Sequence, residues 1–124
     1  MRIVTYRYKK VSDLGLLINE RIYSLNSIAN NMNDFLHMGG IAMKKARDLE
    51  ETIIRNNSTM KGIALSESKL LAPMPNPSSF RDAYAFKQHV ATGRENRGVK
   101  MIPEFDQFPV FYFSNHNAII GPTD

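Results

Sequence analysis

Six side chains in the second half of the sequence have types and spacings that can do chemistry: Asp82, Tyr84, His89, Arg94, Arg97 and Tyr112. A carboxylate, a phenol and an imidazole fall within ten residues, with Arg81 in front and Arg94 and Arg97 behind. Asp82 and His89 stand about two helical turns apart, so a continuous helix would put them on nearly one face, with Phe86 between. On one pocket such a pair can act as metal ligand and general base. Asp82 can equally cap a helix that starts at Ala83, and His89 can be an ordinary surface or core histidine. Tyr84 and Tyr112 can hold a substrate oxygen or fill a core. Arg94 and Arg97 can grip a carboxylate bidentately or stay solvated. His37 and His116 lie in no zinc spacing. Neither a phosphate-cradling glycine motif nor a nucleophile-elbow serine is present.

The elements that must position these groups follow from hydrophobic period and turn chemistry. Residues 2–8 read as a strand with Val4, Tyr6 and Tyr8 on one face. A polar turn follows at 9–13, then two strands, 15–18 and 21–23, joined at Asn19-Glu20. Residues 25–32 suggest a short helix capped by Asn26 or Ser27, with a break at Gly39-Gly40. A clear helix is predicted over 41–56, with Ala42, Ala46, Leu49 and Ile53 at helical spacing and Ile54 beside them. Lys44 with Asp48, and Arg47 with Glu51, are placed to support it one turn apart; Asn56-Asn57-Ser58 ends it. A closing strand is expected at 69–71.

Pro73, Pro75 and Pro77 then restrict the chain to extended conformations. This predicts a small α+β domain over 1–72, a stiff linker over 73–78 and the start of a second domain over 79–124. A proline-recognition ligand is the rival reading of the linker. Beyond it, 83–92 has helical character with Gly93 as a stop. Residues 108–113 read as a strand apolar on both faces, and 118–121 as another. A strand apolar on both sides belongs inside a sheet. With only 118–121 after it, the second domain is expected to be incomplete, its remainder supplied by a missing segment or a second chain. Pairing of the strand with its own copy is the alternative.

The 124 residues include 16 Lys and Arg against 12 Asp and Glu, for a net charge of +4. The basic residues are spread along the chain, and Lys44, Lys45 and Arg47 are offset by Asp48, Glu50 and Glu51, which argues against a nucleic-acid surface. The sequence has no cysteine, so disulfides and thiolate metal sites are excluded and a cytoplasmic location is expected. No membrane span or signal peptide is expected either.

The block Arg81-Asp82-Ala83-Tyr84-Ala85-Phe86-Lys87-Gln88-His89-Val90 resembles the fumarylacetoacetate hydrolase family. The likeness continues through Arg94-Glu95-Asn96-Arg97-Gly98, Ile102-Pro103-Glu104 and the aromatic run at 108–115, and back through Leu70-Leu71-Ala72-Pro73 to the N-terminal strands. It is weakest over 26–67. The resemblance implies a small, partly barrel-like N-terminal domain before a β-rich catalytic domain that binds Mg²⁺ or Ca²⁺. It implies that Asp82 is a metal ligand, that Tyr84 and Tyr112 contact substrate, that His89 activates water, and that Arg94 or Arg97 holds a substrate carboxylate. The implied reaction is cleavage of a C–C bond in a β-diketo acid, with a homodimer as the complete protein. Ala83 replaces a usual aromatic, and Lys87 what is often Glu. The family's Glu-x-Glu pair and later Asp are not in this sequence, so the chain alone is expected to be inactive. A dehydratase acting on 2-keto-3-deoxy sugar acids resembles the same family, and a non-catalytic binding or assembly module is the reading from another class.

Overall fold

Two tight hairpins begin the fold. The structure, a computed structural model, describes residues 1–56 and 60–123. Strands β1 (Ile3–Tyr8), β2 (Val11–Ile18) and β3 (Arg21–Ser24) form an antiparallel meander. Each turn has two residues, and all four have positive φ: Lys9, Lys10, Asn19 and Glu20. Two left-handed residues match the twist of the flanking strands. The polar turn expected at 9–13 is thus only Lys9-Lys10, and Val11, Ser12 and Asp13 belong to β2. A Lys-Lys pair carries none of the Asn-Gly signal that marks such turns.

The helices follow. The helix expected over 25–32 is instead a run of turns, in which the Ile28 and Ala29 amides both donate to the Leu25 carbonyl. Helix α1 (Met32–Met38) starts later because Asn31 caps it. The Asn31 side-chain oxygen accepts from the Asp34 amide at 2.9 Å, and its Nδ2 donates to the Asp34 carboxylate at 2.9 Å, which satisfies an amide with no partner inside the helix. Gly39, at φ 54°, closes α1, and α2 (Gly40–Asn56) begins at the next residue. Ala42, Ala46 and Ile53 are buried along one stripe, with Leu49 packed beside them, while Ile54 faces out. Lys44 meets Asp48 at 3.0 Å; Glu51 meets Arg55, at 4.0 Å, rather than Arg47. Of the expected end at Asn56-Asn57-Ser58, the last two residues lie outside the described residues.

Strands β4 (Ile63–Ala64) and β5 (Lys69–Leu70) complete a five-stranded antiparallel sheet in the order β4-β3-β2-β1-β5. The two edge strands are nearly adjacent in sequence, joined by a 3-10 turn at Leu65–Glu67. The sheet must therefore curl into a partial barrel to bring its edges within reach of that turn. Its faces separate two cores by strand alternation. Leu14 and Leu16 point to the helices and pack with Leu25, Phe35, Ala42 and Ala46. Tyr6, Leu17 and Ile22 point into the curl, with Val4, Ile63, Leu65 and Leu70 around them. Gly15 has no room for a side chain there: a Cβ would lie 2.5 Å from Ile22 Cγ2 and 3.0 Å from Tyr6 Cε1. Asp13 ties the mouth of the hairpin. Its carboxylate accepts from the Tyr6 hydroxyl, the Ser24 hydroxyl, the Asn26 amide group and the Leu14 backbone amide, all at 2.7–3.2 Å.

Beyond β5, the Leu71 amide donates to the Thr5 carbonyl and the Thr5 hydroxyl to the Pro73 carbonyl, at 2.7 Å. Asn33 Nδ2 donates to the Asn76 carbonyl. The chain divides into two compact units, Met1–Pro77 with the segment from Asn117 on, and Ser78–His116. The fold is α+β. No helix among the described residues is long and apolar enough to cross a membrane.

In the second unit the elements are shorter than the sequence suggests. Strand β6 (Arg81–Ala83) pairs antiparallel with β7 (Phe111–Phe113), and α3 spans Lys87–Glu95. The helix expected over 83–92 therefore starts four residues late, because Ala83 is paired with Phe111 and the Ala85 amide turns back to the Ala83 carbonyl. Gly93 does not stop it. The left-handed glycine is Gly98, at φ 70°, whose amide donates to the Glu95 carbonyl. The strand expected over 108–113 begins only at Phe111. The Phe108 amide is turned back to the Glu104 carbonyl, behind the 3-10 turn at Pro103–Asp106, and Pro109 has no amide to donate. Nor is it covered: Phe111, Tyr112 and Phe113 are all exposed, Phe113 by 78%. From Asn117 on the chain belongs to the first unit again, and there the strand expected over 118–121 is not formed; a 3-10 turn at His116–Ala118 precedes an irregular run.

Candidate functional site

The register of the β6–β7 ribbon sorts its side chains. Asp82 lies directly opposite Tyr112, and Tyr84 continues β6 two residues on, its amide donating to the Val110 carbonyl at 3.0 Å. Alternation puts Asp82, Tyr84 and Tyr112 on one face and Arg81, Phe111 and Phe113 on the other. On the first face the Tyr84 and Tyr112 rings meet edge to face, with centroids 5.9 Å apart and planes at 80°. On the second, the Arg81 guanidinium lies over both phenylalanine rings, at 5.7 and 5.1 Å.

The neighbouring Tyr84 hydroxyl pushes the Tyr112 hydroxyl above its ordinary pKa, Asp82 adds to that, and the Arg97 charge opposes it. Tyr112 thus keeps its proton through neutral pH and can donate to a substrate oxygen. Of the six groups singled out in the sequence, Asp82, Tyr84 and Arg97 therefore all lie within electrostatic reach of Tyr112.

The other two stand differently. His89 is the third residue of α3, exposed, and opens on a hollow lined by Ala85, Phe86, Lys87, Gln88 and Thr92. Asp82 is on a strand, so the shared helix face imagined for these two groups is not what relates them, and Asp82 is not the helix cap. Phe86 holds that position without a side-chain bond. Arg94 donates from Nε to the Lys100 carbonyl at 2.6 Å, and Arg97 from Nε to the Gly93 carbonyl at 2.9 Å. Each bond fixes one edge of a guanidinium and leaves its other donors for a ligand. Sequence reasoning missed the Lys87–Asp106 ion pair, at 2.6 Å, which ties the first residue of α3 to the turn preceding β7. The residues lie far apart in sequence, and no local pattern links them.

A divalent ion of the kind the resemblance implies takes six or more oxygen ligands. Among the described residues no three His, Asp or Glu side chains are grouped to hold one, and Asp82 faces two phenols. These residues do not fit a Mg²⁺ or Ca²⁺ centre by themselves. In comparisons with known proteins, no family model matches the chain and no curated protein matches it significantly.

Proposed function

We propose that this chain supplies the substrate-contacting wall of a hydrolase resembling the fumarylacetoacetate hydrolase family, acting on a β-diketo acid. One observation carries the reading: Asp82, Tyr84 and Tyr112 share a face of the β6–β7 ribbon, with Arg97 in electrostatic range. In this reading the two phenols donate to the keto oxygens and Arg97 or Arg94 takes the carboxylate. His89 receives the proton of the water that adds to the carbonyl carbon before the C–C bond breaks. The ion implied by the resemblance needs carboxylates from a further segment or a second chain, so the chain alone is expected to be inactive. A cytoplasmic setting and a homodimeric complete protein go with this reading.

The test is hydrolysis of a β-diketo acid by this chain with and without a segment or partner bearing a Glu-x-Glu pair. Activity only with the partner, lost in Tyr112→Phe, supports the reading. Activity on a 2-keto-3-deoxy sugar acid instead would favour the dehydratase. The exposed Phe111–Phe113 face favours a second reading, a non-catalytic assembly module. It predicts a stable oligomer with no turnover on either substrate.

A further inference from the structure

A second set of polar groups, in the Met1–Pro77 unit, belongs to none of the above. Between the β2–β3 turn, strand β3 and the end of α2 lies an open hollow of about 780 Å³, within the size range of small-molecule sites. Ile18, Ile53, Ile54 and Met60 give it apolar walls, and Arg21, Arg55 and Lys61 supply three positive charges.

The arginine on β3 is held in place. Arg21 Nη1 donates to the Gly62 carbonyl at 2.9 Å, one of the five donors a guanidinium carries. Gly62 lets this happen: a Cβ there would lie 2.9 Å from Tyr23 Cζ and 3.1 Å from Arg21 Cβ. Arg21 and Tyr23, two apart on one strand, therefore lie side by side over the glycine on the wall of the hollow. Two features oppose the positive charge. Glu51 reaches Arg55 at 4.0 Å, and the last carbonyls of α2 carry a partial negative charge. Three cations against the one carboxylate paired with Arg55 and a helix end leave the rim positive, and no acidic side chain is among the described lining residues.

We propose that this hollow binds a small amphipathic anion, a carboxylate on a short apolar tail. The carboxylate meets Arg21, Arg55 and Lys61, and the tail covers Ile53 and Ile54. Its residues all belong to the first unit and the proposal does not depend on the reading of the Asp82 face.

The test is a titration of the full chain with hexanoate, followed by NMR shifts of Arg21, Tyr23 and Ile53, with hexanol and inorganic phosphate as comparison probes. Saturable hexanoate binding at those residues, tighter than either comparison probe and weakened by added salt, is expected. Arg55→Gln with Lys61→Gln, both exposed positions, should weaken it by roughly fivefold or more. No saturable shift, hexanol or phosphate binding as tightly as hexanoate, a salt-independent affinity, or an unchanged affinity in the double variant would each overturn the proposal.

Discussion

Replacing Gly15 with alanine adds one methyl group to the most crowded point of the curled sheet. Gly15 sits mid-strand on β2, paired with Val4 on one side and Ser24 on the other. The new carbon would lie 2.5 Å from Ile22 Cγ2 and 3.0 Å from both Tyr6 Cε1 and the Tyr23 carbonyl oxygen. Carbon atoms pack best at about 3.5–4.0 Å, so Ile22 must retreat by about 1 Å. It has nowhere to go, because Ile22 and Tyr6 are 1% and 2% exposed, and the third neighbour is backbone. Overpacking of this kind costs about 1–3 kcal/mol, and with all three contacts rigid the upper part of that range applies. For a unit of this size the melting temperature should fall by roughly 10–20 °C, read by circular dichroism. A cycle with Ile22→Ala isolates the cause. Removing Cγ2 clears the shortest contact, so Gly15→Ala should cost about 1 kcal/mol less in that background than in the parent chain. A change below about 0.5 kcal/mol in the parent, the level of an ordinary surface substitution, would refute the packing argument.

Asp13→Ala should cost about 2–3 kcal/mol in urea denaturation, because it strands a partly buried phenol and a backbone amide at once. Asp13→Asn should recover part of that. Burial, and then the charge of Asp13 and its hydrogen bond, push the Tyr6 hydroxyl up to about 12 from its ordinary 10. The unfolded chain releases this proton first, so stability is intact below pH 10 and falls as pH rises towards 12. Stability measured across that range should decline in the parent and decline less in Tyr6→Phe. Asn31→Ala removes the α1 cap and should cost about 1 kcal/mol by the same denaturation assay; Asn31→Asp should recover only part of that, because it keeps the cap oxygen but replaces the donor to Asp34 with a second carboxylate.

How far the sequence discloses this fold depends on the range of the forces involved. The stripe of α2 was legible because Ala42, Ala46 and Ile53 repeat at the period of the helix itself. The first three strands were legible by alternation, but the Lys9-Lys10 turn was not: its left-handed residues are imposed by the pairing of β1 with β2 rather than by their own preference. Helix α1 was misplaced by several residues because Asn26, Ser27, Asn30 and Asn31 are all good caps, and burial of Phe35 decides among them. In the second unit, pairing overrode local helical character at Ala83, and Pro109 with the turn on Glu104 cut the aromatic strand to three residues. The facing of Asp82 and Tyr112 depends on the register of two strands far apart in sequence, and a single sequence does not state it. Their residue types can be read from the sequence; only the ribbon gives their neighbourhood.

The turn at Leu65–Glu67 links two rims of one sheet, and this makes it a clasp. Cleavage between Leu65 and Ser68 would release β4 and β5 together, so water would reach Tyr6, Leu17 and Ile22 from both seams at once. A few inserted residues at the same place would slacken the curl without breaking a single strand pair. Closure of the core around Tyr6, Leu17 and Ile22 thus hangs on a stretch of chain shorter than any strand of the meander.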